Sequence, residues 1–148
     1  MLYIFKKYNE GFSLVELMVV IAIIGVLSTM AILALDNSRI KSRDVKRVAD
    51  IKQLSTALEL YYNRDGSYPT TLVVGEALKS ANGLITYMSA VPSAPLPNDG
   101  SCTLGQNNFS YAQVSQAYVI SFCLGGNIGP LSAGVVYATP HGISNSAY

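Results

Sequence analysis

The sequence predicts an α+β fold in which one long N-terminal helix packs on a small antiparallel sheet near the C-terminal end. Three observations predict it: an apolar run over residues 12–35, an amphipathic helical pattern that follows without a proline, and a set of short strand-like runs after Gly100. The first half of the helix is predicted to cross a membrane. One face of the sheet is predicted to cover the apolar stripe of the second half.

The composition fits one small domain with an anchor. The chain has 148 residues and a formal net charge of +1, because 10 Lys and Arg residues nearly balance 9 Asp and Glu residues. A net charge so close to zero creates no overall field that would attract a polyanion. We therefore expect no nucleic-acid partner.

The apolar run is long enough for a membrane-spanning helix, for which about 20 apolar residues suffice. A secretory signal peptide has a shorter apolar core of about 7 to 15 residues and then a small-residue cleavage site, which this run lacks. A membrane-surface helix has a polar face, and residues 17–27 show none. A plain single-pass anchor fits the length but leaves Glu16 unexplained, since an acid inside such a span costs about 2.5 to 3.5 kcal/mol.

The segment that contains Glu16 resembles a known signature. GFSLVELMVVIAIIGVLSTMAI, residues 11–32, is similar to the prepilin signature of type IV pilins and of the pseudopilins of type II secretion systems. The resemblance implies a pilin-like fold, cleavage after Gly11 by a membrane peptidase, and methylation of the new N-terminus at Phe12. It also implies that the Glu16 carboxylate pairs with the N-terminal amine of a neighbouring subunit.

The signature and the residue pattern divide the chain into four segments. Residues 1–11 are the prepilin leader, 12–35 the transmembrane and filament-core helix, 36–64 an amphipathic helical stem, and 65–148 a globular head with an antiparallel sheet. The resemblance implies a precursor that crosses the inner membrane once with its leader in the cytoplasm. The mature subunit would then lie in an extracytoplasmic or cell-surface filament.

The stem is predicted from apolar residues that recur at spacings of three and four, which place them on one stripe of a helix. These residues are Val48, Ile51, Leu54, Leu58 and Tyr61. The helix is predicted to run without interruption from about residue 12 to about residue 63. Asp65-Gly66 and then Pro69 are expected to end it.

Basic residues crowd the start of the stem and are interleaved with acids. They are Arg39, Lys41, Arg43, Lys46, Arg47 and Lys52, with Asp36, Asp44 and Asp50 between them. Because no aromatic residues for base stacking accompany them, we interpret them as a solvated helix face or as one salt-bridged between subunits. The positive-inside rule would place this side in the cytoplasm, opposite to the topology that the leader implies. We follow the leader signature, because it is independent of the charge count.

The sequence after the stem predicts a tyrosine-rich turn. ALELYYNRDGSYPTT, residues 57–71, resembles the helix end and Tyr-Pro turn of pseudopilins and short pilins. Tyr61, Tyr62 and Tyr68 are predicted to pack at the base of the helix with their hydroxyls in water. Residues 76–79 are predicted to form a short helix.

Three strands are predicted in the head. Residues 109–114, 118–124 and 134–138 are short runs rich in Tyr, Phe, Val and Ile, separated by Gly, Ser, Asn and Pro. Alternate residues of the middle run, beginning with Tyr118, should share one face of an antiparallel sheet. Residues 141–148 are predicted to form a loop or loose tail.

The head contains the chain's only two cysteines, Cys102 and Cys123. Because the resemblance places the head outside the cytoplasm, we expect a structural disulfide between them rather than two free thiols. A zinc site would need more Cys or His residues than the two cysteines and the sole histidine, His141. The sequence also shows no phosphate-binding loop and no Ser-His-Asp arrangement. Some pseudopilins bind calcium through acids of a C-terminal loop, but no Asp or Glu follows Asp99 in this chain. We expect no catalytic residues, metal or cofactor.

The expected function is that of a structural subunit, not an enzyme. The resemblance implies a type IV pilus-like filament or a type II secretion pseudopilus, polymerised through the N-terminal helix. The implied partners are the membrane, identical or related pilin subunits, the prepilin peptidase and methyltransferase, an assembly ATPase and a platform membrane protein. The alternative is a monomeric membrane-anchored extracytoplasmic binding domain. The choice between pilus and pseudopilus stays open, whereas Glu16 favours a repeating subunit over a minor one at the tip.

Overall fold

The computed structural model describes residues 11–147, so the predicted leader lies outside the described residues except for Gly11. The elements in chain order are α1 (Leu14–Asp65), β1 (Leu78–Lys79), β2 (Thr86–Met88), α2 (Leu104–Asn107), β3 (Ser110–Val114), β4 (Ala117–Leu124), β5 (Gly134–Thr139) and β6 (Gly142–Ser144). The chain divides into two compact units after Asn37, and α1 contributes to both. The predicted α+β class is confirmed.

The described part of the first unit comprises residues 11–37, which are the N-terminal part of α1 and the three residues before it. Its described side chains are all exposed, and this part of the helix is long and apolar enough to cross a membrane. The two hydroxyls inside the apolar run are satisfied within the helix. Ser28 Oγ donates to the carbonyl of Ile24 at 2.7 Å, and Thr29 Oγ1 donates to that of Val26 at 2.8 Å. Neither side chain therefore carries an unmet hydrogen bond into an apolar environment.

The second unit is built around the apolar stripe of the stem. Ile51, Leu54 and Leu58 have at most 1% of their surface exposed. Tyr61 is also buried, and Val48 is partly buried. The predicted stripe is thus confirmed. Because most helical stability in proteins comes from packing of such a stripe, this part of α1 depends on the sheet beside it.

The sheet that covers the stripe has four antiparallel strands in the order β3-β4-β5-β6. In the central strand β4, Tyr118, Ile120 and Phe122 are buried and alternate with the half-buried Val119 and Ser121. The three predicted strands are present, and the predicted alternation in β4 is confirmed. Because side chains alternate between the two faces of a strand, one row of β4 side chains packs against the stem.

The two other expectations for the head were wrong. Residues 76–79 do not form a helix, because their backbone bonds to a neighbouring segment: Val91 N donates to the carbonyl of Glu76 at 2.7 Å, and β1 pairs with β2. The C-terminal residues do not form only a loose tail, since β6 extends the main sheet and pairs Ile143 with Ala138. Both segments take their backbone partners from elsewhere in the chain, which hydrophobic periodicity does not reveal.

The end of α1 is fixed by tyrosines. The helix ends at Asp65, and Gly66, with a φ of 74°, donates its N–H to the carbonyl of Tyr62 at 2.9 Å. Tyr68 stacks on Tyr62 with ring centroids 4.7 Å apart and is itself buried. The Tyr68 hydroxyl donates to Glu59 Oε1 at 2.9 Å. We expected this hydroxyl to lie in water, and that expectation was wrong. Burial, followed by the hydrogen bond to the Glu59 carboxylate, raises the pKa of the Tyr68 hydroxyl well above its usual value.

Cys102 and Cys123 are joined in a disulfide, as predicted, and both are buried. The bridge ties the loop before α2 to the central strand β4. Since the cysteines are 21 residues apart, the chain-entropy model assigns the closed loop about 3 kcal/mol of stabilisation.

The disulfide generates the first prediction. The double substitution Cys102→Ser and Cys123→Ser should lower the free energy of unfolding by about 2 to 4 kcal/mol, because the unfolded chain regains the entropy of the open loop. Urea unfolding of the detergent-solubilised chain, followed by tyrosine fluorescence, measures it. Reductant should shift the midpoint of the native chain to that of the variant and leave the variant unchanged. Equal midpoints for oxidised and reduced native chain would contradict the prediction.

Candidate functional site

The predicted processing residues lie immediately before α1. Gly11, Phe12 and Ser13 have no regular secondary structure, and the carbonyl of Ser13 accepts the N–H of Leu17 at 3.2 Å as the helix begins. Phe12 is 69% exposed. The Gly11–Phe12 peptide bond therefore lies outside the helical hydrogen-bond ladder. A peptidase could bind this stretch without unwinding a turn of helix.

Gly11 has no packing reason to be glycine among the described residues. A Cβ atom built on it would have nothing within 4 Å, and its φ does not lie in the left-handed region. The local structure would accept an alanine there. Nothing in the described residues therefore requires glycine at this position.

Glu16 lies in the first turn of α1 and is exposed. A carboxylate in the first turn is favoured by the positive end of the helix dipole, typically by 0.3 to about 1 kcal/mol. Within residues 11–147, Glu16 forms no salt bridge. Its position one turn after Phe12 leaves it available to a cation supplied from outside the described residues. Its pairing with an amine stays a prediction.

The helix around Glu16 presents an exposed apolar surface. Its large exposed side chains are Phe12, Leu14, Val15, Leu17, Met18, Val19, Val20, Ile21, Ile23, Ile24, Val26, Leu27, Met30, Ile32 and Leu35. Contiguous apolar surface of this extent marks a site that contacts lipid or protein. Glu16 is the only Asp, Glu, Lys or Arg residue in the sequence of residues 12–35.

The second unit contains a buried ionic network centred on Arg47. The Arg47 side chain has no exposed surface, and its Nη1 donates to Asp44 Oδ1 at 2.7 Å and to Asp99 Oδ2 at 3.1 Å. Asp44 is on the same helix, three residues earlier, whereas Asp99 comes from the loop before α2. Removing one member of such a network leaves buried charges with fewer partners in a low dielectric, which destabilises the fold.

The second guanidinium nitrogen of Arg47 holds the loop backbone. Nη2 donates to the carbonyls of Pro95 and Pro97 at 3.1 and 3.2 Å, and to Asn107 Oδ1 at 2.8 Å. Asn107 belongs to α2 and is buried. One side chain of the stem thus fixes two loop carbonyls and a short helix. The planar fork of arginine suits this divided set of acceptors, which a lysine could not reach together.

Asp44 connects the same network to the turn after β4. Its two carboxylate oxygens accept the N–H groups of Gly125 at 3.0 Å and Gly126 at 2.8 Å. A Cβ atom on Gly125 would collide with the Cβ of Asp99, so the close approach of these two loops requires glycine. Asp44 is therefore satisfied by an arginine on one side and backbone amides on the other.

Asp99 is the most heavily bonded acid of the head. Arg43 Nε donates to Oδ2 at 2.7 Å and Arg43 Nη2 to Oδ1 at 2.5 Å, in addition to the bond from Arg47. The hydrogen bond from Arg43, opposed by burial and assisted by Arg47, holds the pKa of Asp99 below its usual value. The carboxylate therefore stays ionised through the ordinary pH range.

The interpretation of the stem charges as a solvated or intersubunit face was wrong for Arg43, Asp44 and Arg47. Asp44 and Arg47 are fully buried, and all three residues form ion pairs within the chain. A signal for this was present in the sequence. The buried stem positions continue one series at spacings of three and four: Asp44, Arg47, Ile51, Leu54 and Leu58. Charged residues on the extension of an apolar stripe predict a buried pair.

Arg47 generates the second prediction. Arg47→Ala should lower the free energy of unfolding by about 3 to 5 kcal/mol, because Asp44 and Asp99 would stay buried without their shared cation. Urea unfolding of the detergent-solubilised chain measures the change. Lys41→Ala is the matched control, since Lys41 is an exposed cation of the same helix. A shift in midpoint as small for Arg47→Ala as for Lys41→Ala would contradict the structural account of the network.

A known protein family matches the N-terminal segment of the chain. The family described as "Prokaryotic N-terminal methylation motif" matches residues 6–32. Type II secretion system core protein G of Aeromonas hydrophila is 39% identical over 95 residues, which are 64% of this chain and 62% of that protein. The protein of the same name from Escherichia coli K12 is 37% identical over 100 residues, 62% of this chain and 69% of that protein.

The chain is also similar, over a shorter segment, to a type IV pilin. Type IV major pilin protein PilA of Myxococcus xanthus is 34% identical over 64 residues, which are 43% of this chain and 29% of that protein. The matched part spans less than two thirds of the length of the Aeromonas hydrophila relative. No solved structure matches the chain.

Proposed function

Because the chain belongs to the family of type IV pilins and type II secretion pseudopilins, we propose that it is a structural subunit of a pilus-like filament or a secretion pseudopilus. The observation that carries the proposal is the apolar surface of residues 12–35, whose described side chains are exposed and whose sequence contains one charged residue, Glu16. Such a surface can be covered by lipid in a precursor and by other copies of the same helix in a fibre. The proposed role is structural and calls for no catalytic residue or cofactor.

Assembly would proceed from a precursor that crosses the inner membrane once, with residues 1–11 in the cytoplasm. A prepilin peptidase would cut between Gly11 and Phe12 and methylate the Phe12 amine. The non-helical stretch before α1 and the absence of a packing reason for Gly11 support recognition of this bond by an enzyme. An assembly ATPase and a platform membrane protein are the further partners that we propose.

Cleavage would create a cation close to Glu16, which forms no salt bridge within residues 11–147. Before processing, the nitrogen of Phe12 is an uncharged amide; after it, the nitrogen is an ammonium one helical turn from Glu16. Moving a charged carboxylate into an apolar fibre core is costly unless an opposite charge pairs with it there. Pairing of Glu16 with the Phe12 ammonium of a neighbouring subunit would therefore stabilise the fibre and fix the axial position of each helix.

The four proposed segments then have separate tasks in the filament. Residues 12–35 would form the fibre core, 36–64 the stem, and 65–148 the head on the outside. The buried stripe and the Arg47 network support a head that is folded on its own stem before assembly. Assembly would then require no refolding of the second unit.

Processing at Gly11 generates the third prediction. Mass spectrometry of the chain from its native host should find a mature subunit that begins at methylated Phe12, and Gly11→Val should leave the leader attached. Gly25→Val is the matched control, since a Cβ on Gly25 also has nothing within 4 Å. That variant should still be cleaved. A native chain that retains Met1 would overturn the filament proposal in favour of a monomeric membrane-anchored binding domain.

Glu16 generates the fourth prediction. Glu16→Gln keeps the size of the side chain and removes its charge, so cleavage and methylation should continue while the yield of sheared filaments falls at least tenfold. Electron microscopy and immunoblotting of sheared fractions measure the yield. Glu76→Gln is the control, because Glu76 is an exposed acid of the head. Native filament yield from Glu16→Gln would show that no ion pair is needed.

A further inference from the structure

Three leucines of the head are exposed far beyond the others. Leu84, Leu96 and Leu104 have 81%, 73% and 72% of their surface accessible. Single exposed apolar residues are common on protein surfaces and need no explanation by themselves. Leu96 differs from the other two in how its backbone is held.

Leu96 lies between the two prolines whose carbonyls Arg47 binds. Arg47 Nη2 donates to Pro95 O at 3.1 Å and to Pro97 O at 3.2 Å, so the buried guanidinium fixes the chain on both sides of Leu96. Asn107 Nδ2 approaches the same Pro95 carbonyl at 3.4 Å. Proline further restricts the backbone at both flanking positions.

A leucine that is held rigidly in solvent is suited to an interface. Binding through a flexible loop loses conformational entropy for each residue that becomes ordered, whereas a pinned loop has already lost it on folding. The core of a protein interface is typically a few apolar anchors that fill pockets on the partner. The Arg47 network thus presents Leu96 in the form that such an anchor needs.

The head also contains an apolar groove able to receive such an anchor. The groove has a volume of about 640 Å³ and lies between the stem and the β5–β6 end of the sheet. Its apolar walls include Val48, Ile128, Leu131 and Ile143, and Lys52 and Glu59 supply one charge of each sign. An uncharged segment can enter it without leaving a net charge buried.

We propose that in the filament the groove of one subunit receives the Leu96 loop of a neighbouring subunit; this inference rests on the proposed function. An open filament is built from heterologous contacts, which join two different patches of the same chain. Residues 94–98 contain no charged side chain, and the groove is lined by apolar residues and one charge of each sign, so the contact would bury no net charge. Held by the helical core, neighbouring heads face each other at high effective concentration, which makes a small contact sufficient.

A cross-linking experiment on filaments of the full chain tests the pairing. Thr56 is exposed and lines the groove, so Leu96→Cys combined with Thr56→Cys should give a disulfide ladder of subunits on non-reducing electrophoresis of sheared filaments. Leu84→Cys combined with Thr56→Cys is the matched control and should give at least fivefold less ladder. Each variant with only one of these added cysteines should run as a monomer.

A second measurement uses no cysteine. Leu96→Ser should lower filament yield at least fivefold relative to Leu84→Ser, with equal processing of both precursors. Filaments that show no ladder for residues 96 and 56, or equal ladders for both pairs, would overturn the groove contact and leave the filament proposal standing. A correctly processed wild-type chain that forms no filament would overturn both.

Discussion

The guanidinium of Arg47 donates hydrogen bonds to five oxygen atoms, and the loop before α2 depends on these bonds. The oxygen atoms belong to Asp44, Pro95, Pro97, Asp99 and Asn107. The loop before α2 has little regular structure to hold it, so its position comes from the stem. Buried ion pairs are weak evidence for stability, because apolar residues of the same volume often stabilise as well. Their geometry, however, requires one arrangement of the loop. That arrangement presents Leu96 to solvent.

Helix α1 serves two environments with one backbone. Up to residue 35 nearly every side chain is apolar, which suits lipid or a bundle of equivalent helices. Beyond it the apolar residues narrow to one stripe, which suits the sheet of the head. A filament needs both properties in one continuous element, because a force or a register set in the core must reach the head. The charge of Glu16 lies at the start of the apolar part, where we propose that the register of the helices is set.

Much of the fold could be predicted, since the signals for it are local. A stripe of period 3.6 and strands of period two are written in neighbouring residues, which is why Ile51, Leu54 and Leu58 and the alternation from Tyr118 were predicted correctly. The segment around Glu76 and the strand around Ile143 were missed. The Glu76 segment is held by a hydrogen bond from Val91 N, and the strand around Ile143 is held by pairing with β5 across a short turn. Neither contact follows from the hydropathy of the segment itself.

The sequence by itself determined the candidate assembly segment, because hydropathy, the acid at Glu16 and the Gly11–Phe12 junction are properties of consecutive residues. Only the tertiary structure decided which charged residues of the stem are buried and which are exposed. Arg47 and Asp99 are 52 positions apart, and a charged helix residue looks the same in sequence whether water or a buried carboxylate will meet it. Whether a charged side chain loses its water depends on the folded environment. In this fold Asp44 and Arg47, which we expected on a solvated or intersubunit face, are buried in an ion-paired network.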